Sequence, residues 1–304
     1  MTDPFHSGEI QIQEQVGVRD AALRLSRMVV NYIPRGAAQF LNTQEVCALG
    51  WTAPNKELWA GILTGALGFA HTSDNGALLH LDLSKLHHTQ HEALVSGALK
   101  IGNQTGMLFI DLSDRRRLRV NGTIDRLFET QLTIKVEEVF PNCPKYIQRR
   151  LARRLDSTNA LSSLSEGTSL TNDIINWVTI ADTFFVASAH PDGRTDVSHR
   201  GGKPGFVRVQ EGKLYIPDYQ GNNMFGTLGN LMVNPCAGLV FMDFEQGRQL
   251  QLTGTVKINL HAKNEMEATG GTGRWWCFTP KRWKVRTRYT PIGWELVEPS
   301  PYNP

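Results

Sequence analysis

The feature that most constrains this chain is an internal repeat. GMLFIDLSDRRRLRVNGTI (106–124) returns without a gap as GLVFMDFEQGRQLQLTGTV (238–256). Gly106/Gly238, Phe109/Phe241, Asp111/Asp243, Arg116/Arg248, Leu118/Leu250 and Gly122/Gly254 all fall in step. GFAHTSDNGALLHLD (68–82) parallels GFVRVQEGKLYIPD (205–218) with one residue of difference in the hairpin. So many matched glycines and apolar positions point to a duplicated structural unit. Within each copy, runs rich in Val, Phe, Ile and Leu alternate with Gly, Asp, Asn and Pro punctuation, the pattern of consecutive antiparallel strands. Asp192-Gly193 and Glu211-Gly212 mark hairpins. Six strands per copy, closed on themselves as a small barrel, would remove the exposed edges of such a meander.

A chain of 304 residues exceeds the size at which one core usually stops growing. The sequence predicts two domains, 1–155 and 168–304, joined by the polar, Ser-rich stretch 156–167. Residues 7–33 read as helix in two pieces, with Ser7 as N-cap, Glu9 in the first turn, and Val18, Ala22, Leu25 and Val29 at helical spacing. Residues 168–180 read as a further helix, and strands are expected from Ala37 to Gly122. A Gly-rich crossing, Ala262–Gly273, precedes a last strand and an ordered tail. The fold class is mainly β with flanking helices.

A net charge of +3 argues for neither nucleic acid nor membrane as a partner. No apolar run reaches about 18 residues, and the first residues lack a basic segment followed by an apolar one, so neither a membrane span nor a signal peptide is predicted. Cys47, Cys143, Cys236 and Cys277 form no CxxC pair or disulfide framework. A cytoplasmic location is the expectation.

His87 and His91 stand at i,i+4 and could share a metal-binding helix face. His88 occupies the place where a metalloprotease carries Glu, and no third ligand is placed, so a solvated helix is expected and no metal is assigned. Arg149, Arg150, Arg153 and Arg154 lack interleaved aromatics and read as a solvated helix face. Cys143 has no neighbouring base to make it a nucleophile. Trp275, Trp276 and Trp283 suit either a core or a stacking platform for a ring system.

DVSHRGGKPGFVRV, then IPDYQGNN, an NL..NP turn and a GLVF strand, resembles the flavin-binding split barrels of the pyridoxamine 5'-phosphate oxidase-like superfamily. FHSGEIQIQEQVGV near the start resembles two-part flavin-binding proteins of that group. VEEVFPNCPKYI resembles the segment that follows the barrel in its single-barrel members and approaches the flavin of the partner subunit. The resemblance implies two split β-barrels in tandem, an intramolecular pseudo-dimer with flavin at the seam, and further homodimerisation remains open. It implies FMN as cofactor, ahead of FAD or another flavin. Arg200 of the S-x-R-G segment would clamp the phosphate, with Ser198, Gly201, Lys203 and the loop Gly221-Asn222-Asn223 beside it. Gly205, Phe206 and Val207 would run along the ring, Lys145 would reach in from the first half, and His199 is the candidate proton donor or substrate contact. An arginine fork suits a dianionic phosphate because it donates two parallel hydrogen bonds. Met224 departs from the family pattern, which usually has a basic residue there. The first copy, apolar through LWAGILTGALGF (58–69), reads as a wall without a clamp.

The function expected is an FMN-dependent oxidoreductase whose partner is a small-molecule electron donor or acceptor. The alternative is a non-catalytic flavin or haem binding or storage protein. The C-terminal arginine-containing tail of pyridoxamine phosphate oxidase has no match in RYTPIGWELVEP, so pyridoxamine phosphate is not the expected substrate.

Overall fold

A computed structural model describes residues 3–87, 94, 99–155, 162–287 and 290–304. Helices α1 (Ser7–Val16), α2 (Arg19–Leu25) and α3 (Arg35–Asn42) open the chain. Glycine ends α1: Gly17 adopts φ 74°, and its N–H caps the last carbonyls. The N-cap is His6 rather than the expected Ser7. Its ring accepts from Gly8 N while Glu9 accepts from His6 N, a reciprocal capping box. α3 lies where strand was expected from Ala37. Pro34 precedes its first residue, and only Leu41 of its side chains is fully buried.

Two sheets follow. The first contains β1 (Val46–Thr52), β2 (Leu58–Thr64), β3 (Ala70–Thr72), β4 (Leu78–Asp82), β5 (Gln104–Asp111), β6 (Arg116–Leu127) and β7 (Gln131–Pro141), in the order β2-β1-β5-β6-β7-β4-β3. Then come β8 (Arg149–Arg154), β9 (Leu164–Gly167) and α4 (Asn172–Ile180). The second sheet contains β10 (Thr183–Ala189), β11 (Thr195–Gly201), β12 (Arg208–Gln210), β13 (Lys213–Pro217), β14 (Cys236–Asp243), β15 (Arg248–Asn259) and β16 (Trp275–Arg286). Its order is β11-β10-β14-β15-β16-β13-β12, with α5 (Gly226–Val233) between β13 and β14. Strand for strand the two orders are the same. A last strand, β17 (Ile292–Glu298), pairs with β8.

The sheets are open, which corrects the expectation of strands closing on themselves. β2 and β11 stand at sheet ends, and side chains from the opposite half cover their outward backbone groups. Gln251 Nε2 donates to Ala60 O at 2.6 Å, Ile62 N donates to Gln249 Oε1 at 2.7 Å, and Arg119 donates to Val197 O at 2.9 Å. A closing strand is therefore unnecessary to satisfy those edge groups.

Ala48, Ile62 and Leu108 from one sheet meet Phe185, Val197 and Val240 from the other in a shared apolar core. Close approach there depends on glycine. A Cβ at Gly106 would lie 2.6 Å from Thr195 O, and one at Gly238 would lie 2.6 Å from the Trp59 backbone.

Two other expectations change. The basic run 149–154 is strand β8, not helix, and its period of two turns Arg150 inward onto Asp182 at 2.6–2.8 Å. Part of the stretch read as a linker is strand β9, paired with β16. His88 and His91 lie outside the described residues, whereas His87 Nδ1 sits 2.5 Å from Thr64 Oγ1. No helix among the described residues is long and apolar enough to cross a membrane.

Gly238→Ala should destabilise the fold by about 1–3 kcal/mol, the usual cost of overpacking. Gly36→Ala, in α3 with nothing within 4 Å of the added atom, should instead stabilise by up to about 1 kcal/mol. Urea unfolding midpoints of the two variants compare them directly.

Candidate functional site

A cavity of about 360 Å³ lies at the seam of the two halves. β6 and β7 form one wall and β11 the other, while the start of α1 and the segment 217–230 cover it. Strand alternation decides what β11 offers. Asp196, Ser198 and Arg200 share the cavity side, whereas Val197 and His199 turn the other way. Val197 joins the shared core, and the His199 ring stands edge-on to Phe185 at 5.5 Å.

One end is basic. Arg200 Nη1 donates to Asp218 Oδ1 at 2.7 Å, and Arg274 Nε donates to the other oxygen of Asp218 at 2.9 Å. The two arginines thus share one carboxylate, and Arg200 Nε is buried with no partner among the described residues. Arg117 reaches in from β6, held by the Cys143 carbonyl at 2.9 Å. Burial and the nearby Arg119 and Arg200 lower its pKa to about 10, so it stays cationic at neutral pH. Arg119, also on β6, is 7% exposed. It donates to Val197 O and Ser198 Oγ, pairs with Asp196 at 2.9 Å, and lies over the Phe140 ring.

The segment 221–225 bends through two left-handed non-glycine residues, Asn223 (φ 62°) and Phe225 (φ 63°). Asn222 Oδ1 accepts from Met224 N at 3.1 Å, which fixes the turn. Met224 packs with Phe5, Ala22 and Phe140, and its carbonyl accepts from Gln13 Nε2. The position where the family pattern has a basic residue is therefore an apolar plug that anchors the N-terminal helices.

Of the residues singled out from the sequence, Ser198, Arg200, Gly201, Phe206, Gly221, Asn222 and Asn223 line the cavity. His199 borders it but is 7% exposed, and neither ring nitrogen has a partner among the described residues. Burial, with Arg117, Arg150 and Arg200 nearby, holds its pKa well below the usual value, so the ring is neutral at neutral pH. Four others lie apart from the lining: Lys203 and Gly205 are exposed, Val207 is in the core, and Lys145 Nζ sits 5.8 Å from the Tyr302 ring. Trp276 is buried against Phe184, and none of Trp275, Trp276 and Trp283 lines the cavity. Arg117 and Arg119 were missed. The first half is not a bare wall, because it brings cations to the seam. Their signal was present as charged residues in a strand whose repeat mates are Gln249 and Gln251.

The other end is acidic. Glu9, Glu138 and Asp196 converge there beside His6 and His190, whose rings lie 4.7 Å apart. Burial raises the Glu9 pKa to about 8, with help from Glu138 and Asp196, and Glu138 shifts the same way. Burial lowers the His6 pKa to about 4. Between pH 4.5 and 8 the unfolded chain loses the Glu9 proton that the folded chain keeps, so stability falls as pH rises. Between pH 6.5 and 4 the unfolded chain gains a proton at His6 that the folded chain refuses, so stability falls as pH drops. The two oppose each other below pH 6.5, and Glu9 acts without His6 above it. From pH 6.5 to 8 the Glu9 contribution should cost up to about 2 kcal/mol. Glu9→Gln should flatten that limb in denaturant titrations at stepped pH.

The family model described as pyridoxamine 5'-phosphate oxidase matches residues 172–284. No curated protein matches the sequence. Three solved structures illustrate the structural similarity. HupZ of Group A Streptococcus is 12% identical (TM-score 0.31), covering 43% of this chain and 98% of its own. HutZ, the haem storage protein from Vibrio cholerae, is 13% identical (TM-score 0.28), covering 37% and 91%. An FAD-binding protein from Mesorhizobium loti is 10% identical (TM-score 0.30), covering 42% and 99%. The matched residues 172–284 hold α4, β10 to β15, α5 and most of β16, so the similarity to the pyridoxamine 5'-phosphate oxidase family lies in the second half of the chain.

Proposed function

We propose that this chain is an FMN-binding flavoprotein that exchanges electrons with a small molecule, its two halves acting as an intramolecular pseudo-dimer with one flavin at the seam. The observation that carries this reading is the basic end of the cavity, built from both halves. Arg200 comes from β11 and Arg117 from β6, and Arg200 Nε is a buried donor without a partner among the described residues. Asp218 neutralises one charge of the Arg200–Arg274 pair, and Arg117 has a carbonyl partner rather than an acid, so the end keeps net positive charge. The 221–223 turn also lines the cavity, and backbone N–H groups of such a turn suit phosphate or ribityl oxygens. A cavity of this volume is within the range of small-molecule and cofactor sites. Flavin, when bound, supplies hydride and single-electron chemistry. The chain's own residues would bind the phosphate, orient the ring and limit access of water.

The register supports one site per chain. Pairing of Gly50 with Ala60, and of Ala187 with Val197, sets β2 and β11 in correspondence. Gly61 then stands where β11 has Ser198, and Leu63 where it has Arg200. Across from them Gln249 and Gln251 replace Arg117 and Arg119. The second seam is filled: a Cβ at Gly61 would lie 3.2 Å from the Trp51 ring, and Gln251 closes on Ala60. It offers a phosphate no cation equivalent to Arg200.

FMN added to flavin-free protein should lose fluorescence with an endpoint near one per chain, and an endpoint near two would sink the single-site reading. Arg200→Ala should weaken binding about ten- to a hundred-fold, the loss of one charge-assisted hydrogen bond of roughly 1.5–3 kcal/mol. Arg116→Ala should change little, because Arg116 is exposed and paired with Asp111 and Asp114. Equal losses in the two variants would overturn the assignment of the clamp.

A further inference from the structure

The acidic end of the cavity is built almost entirely of hydrogen-bond acceptors. Asn121, on β6, is 8% exposed. Its Nδ2 donates to Glu138 Oε2 at 3.2 Å and to Asp196 Oδ1 at 3.3 Å. Those two carboxylates fix the amide orientation, because an oxygen turned toward them would face only acceptors. The remaining atom, Oδ1, is buried and has no partner among the described residues. Glu9 and Asp196 approach from the other side: a Cβ at Gly226 would lie 3.6 Å from Glu9 Oε1 and 3.8 Å from Asp196 Oδ2. Four acceptor side chains therefore surround one end of a cavity that also has Phe5 and Phe140 in its lining.

The cations nearby do not answer them all. Arg119 pairs with Asp196. Arg194 lines the cavity and acts on Glu9 and Glu138, but its Nε is bound to Asp192, and His190 also pairs with Asp192. His6 approaches Glu9 at 3.5 Å, but its lowered pKa keeps it neutral. Glu138 has an amide as its hydrogen-bond partner. A buried acceptor without a donor costs about 1–3 kcal/mol, and clustered carboxylates repel each other. Both penalties are relieved by the same ligand group, one that carries several N–H donors and a positive charge.

We propose that this end of the cavity is a subsite for the protonated amine of a substrate with an apolar body, held by Asn121 Oδ1, the carboxylates of Glu138 and Asp196, and an oxygen of Glu9. The proposal rests on the flavoprotein reading for what then happens to the amine, and not for whether it binds. The amine end and the basic end belong to one cavity, so a cationic substrate and an anionic cofactor are sorted by charge before any shape selection.

The test is calorimetric titration of benzylamine and of benzyl alcohol at pH 7.5, with and without FMN. Benzylamine should saturate a single site, and the alcohol, equal in shape but uncharged, should bind at least tenfold more weakly. Glu138→Gln should cost benzylamine at least tenfold while leaving the weak alcohol affinity unchanged. Should that variant fail to fold, Asp196→Asn, which keeps an oxygen for Arg119 and removes the negative charge, should produce the same selective loss. Equal binding of amine and alcohol, no binding of either, or insensitivity of a folded variant overturns the subsite. An amine that binds as expected while FMN does not would leave the subsite standing and remove the flavoprotein reading. FMN binding without amine binding does the reverse.

Discussion

The outer edges of β2 and β11 govern the rest of the architecture. An unpaired strand edge must find partners for its N–H and C=O groups or be exposed to pairing with another chain. Here the partners are long polar side chains from the opposite sheet. Gln249 and Gln251 cover β2, and Arg119 covers β11. Because these contacts run both ways across the seam, each half completes the other. Glycines at 106 and 238 let the backbones come close enough for side chains of that length to reach.

The same contacts explain why the two seams differ. A glutamine that reaches an edge carbonyl ends its role there, and the neighbouring Trp51 fills the remaining space. An arginine in the same place has donors left over. Arg119 grips Val197 O, Ser198 and Asp196 together, and the charges of Arg117 and Arg119 keep a polar volume open beside them. Between the two seams the difference falls on two strand positions, glutamine at 249 and 251 and arginine at 117 and 119.

Much of this was legible in the chain itself. Matched glycines in GMLFIDL and GLVFMDF marked a repeat, and the two sheets share one strand order in which each of those glycines meets a close backbone approach. The hairpin at Glu211-Gly212 was legible because both residues take the left-handed conformation such a turn demands. The β11 signature placed Ser198 and Arg200 at the cavity. Arg117 and Arg119 were illegible because a charged strand residue looks the same whether it faces solvent or a partner sheet. Lys203 and Lys145 failed for the converse reason: nearness in sequence to a motif says nothing about side-chain direction. α3 was missed because eight residues make barely two turns, too short a run for its amphipathic pattern to stand out from the strands that follow.

The ladder between β8 and β17 ties the end of the first half to a strand far along the chain, and Tyr146 N donates to Ser300 Oγ across 154 residues of sequence. Gln148 extends the seal by accepting from Ser300 N at 2.7 Å. During synthesis β8 emerges long before β17 exists. For that interval the nascent first half carries an unpaired strand and an uncovered face of its shared core. Long-range pairings of this kind slow folding and expose aggregation-prone edges. Fusion of two halves into one polypeptide thus raises the local concentration of the missing half, but delays its arrival until β17 has been made.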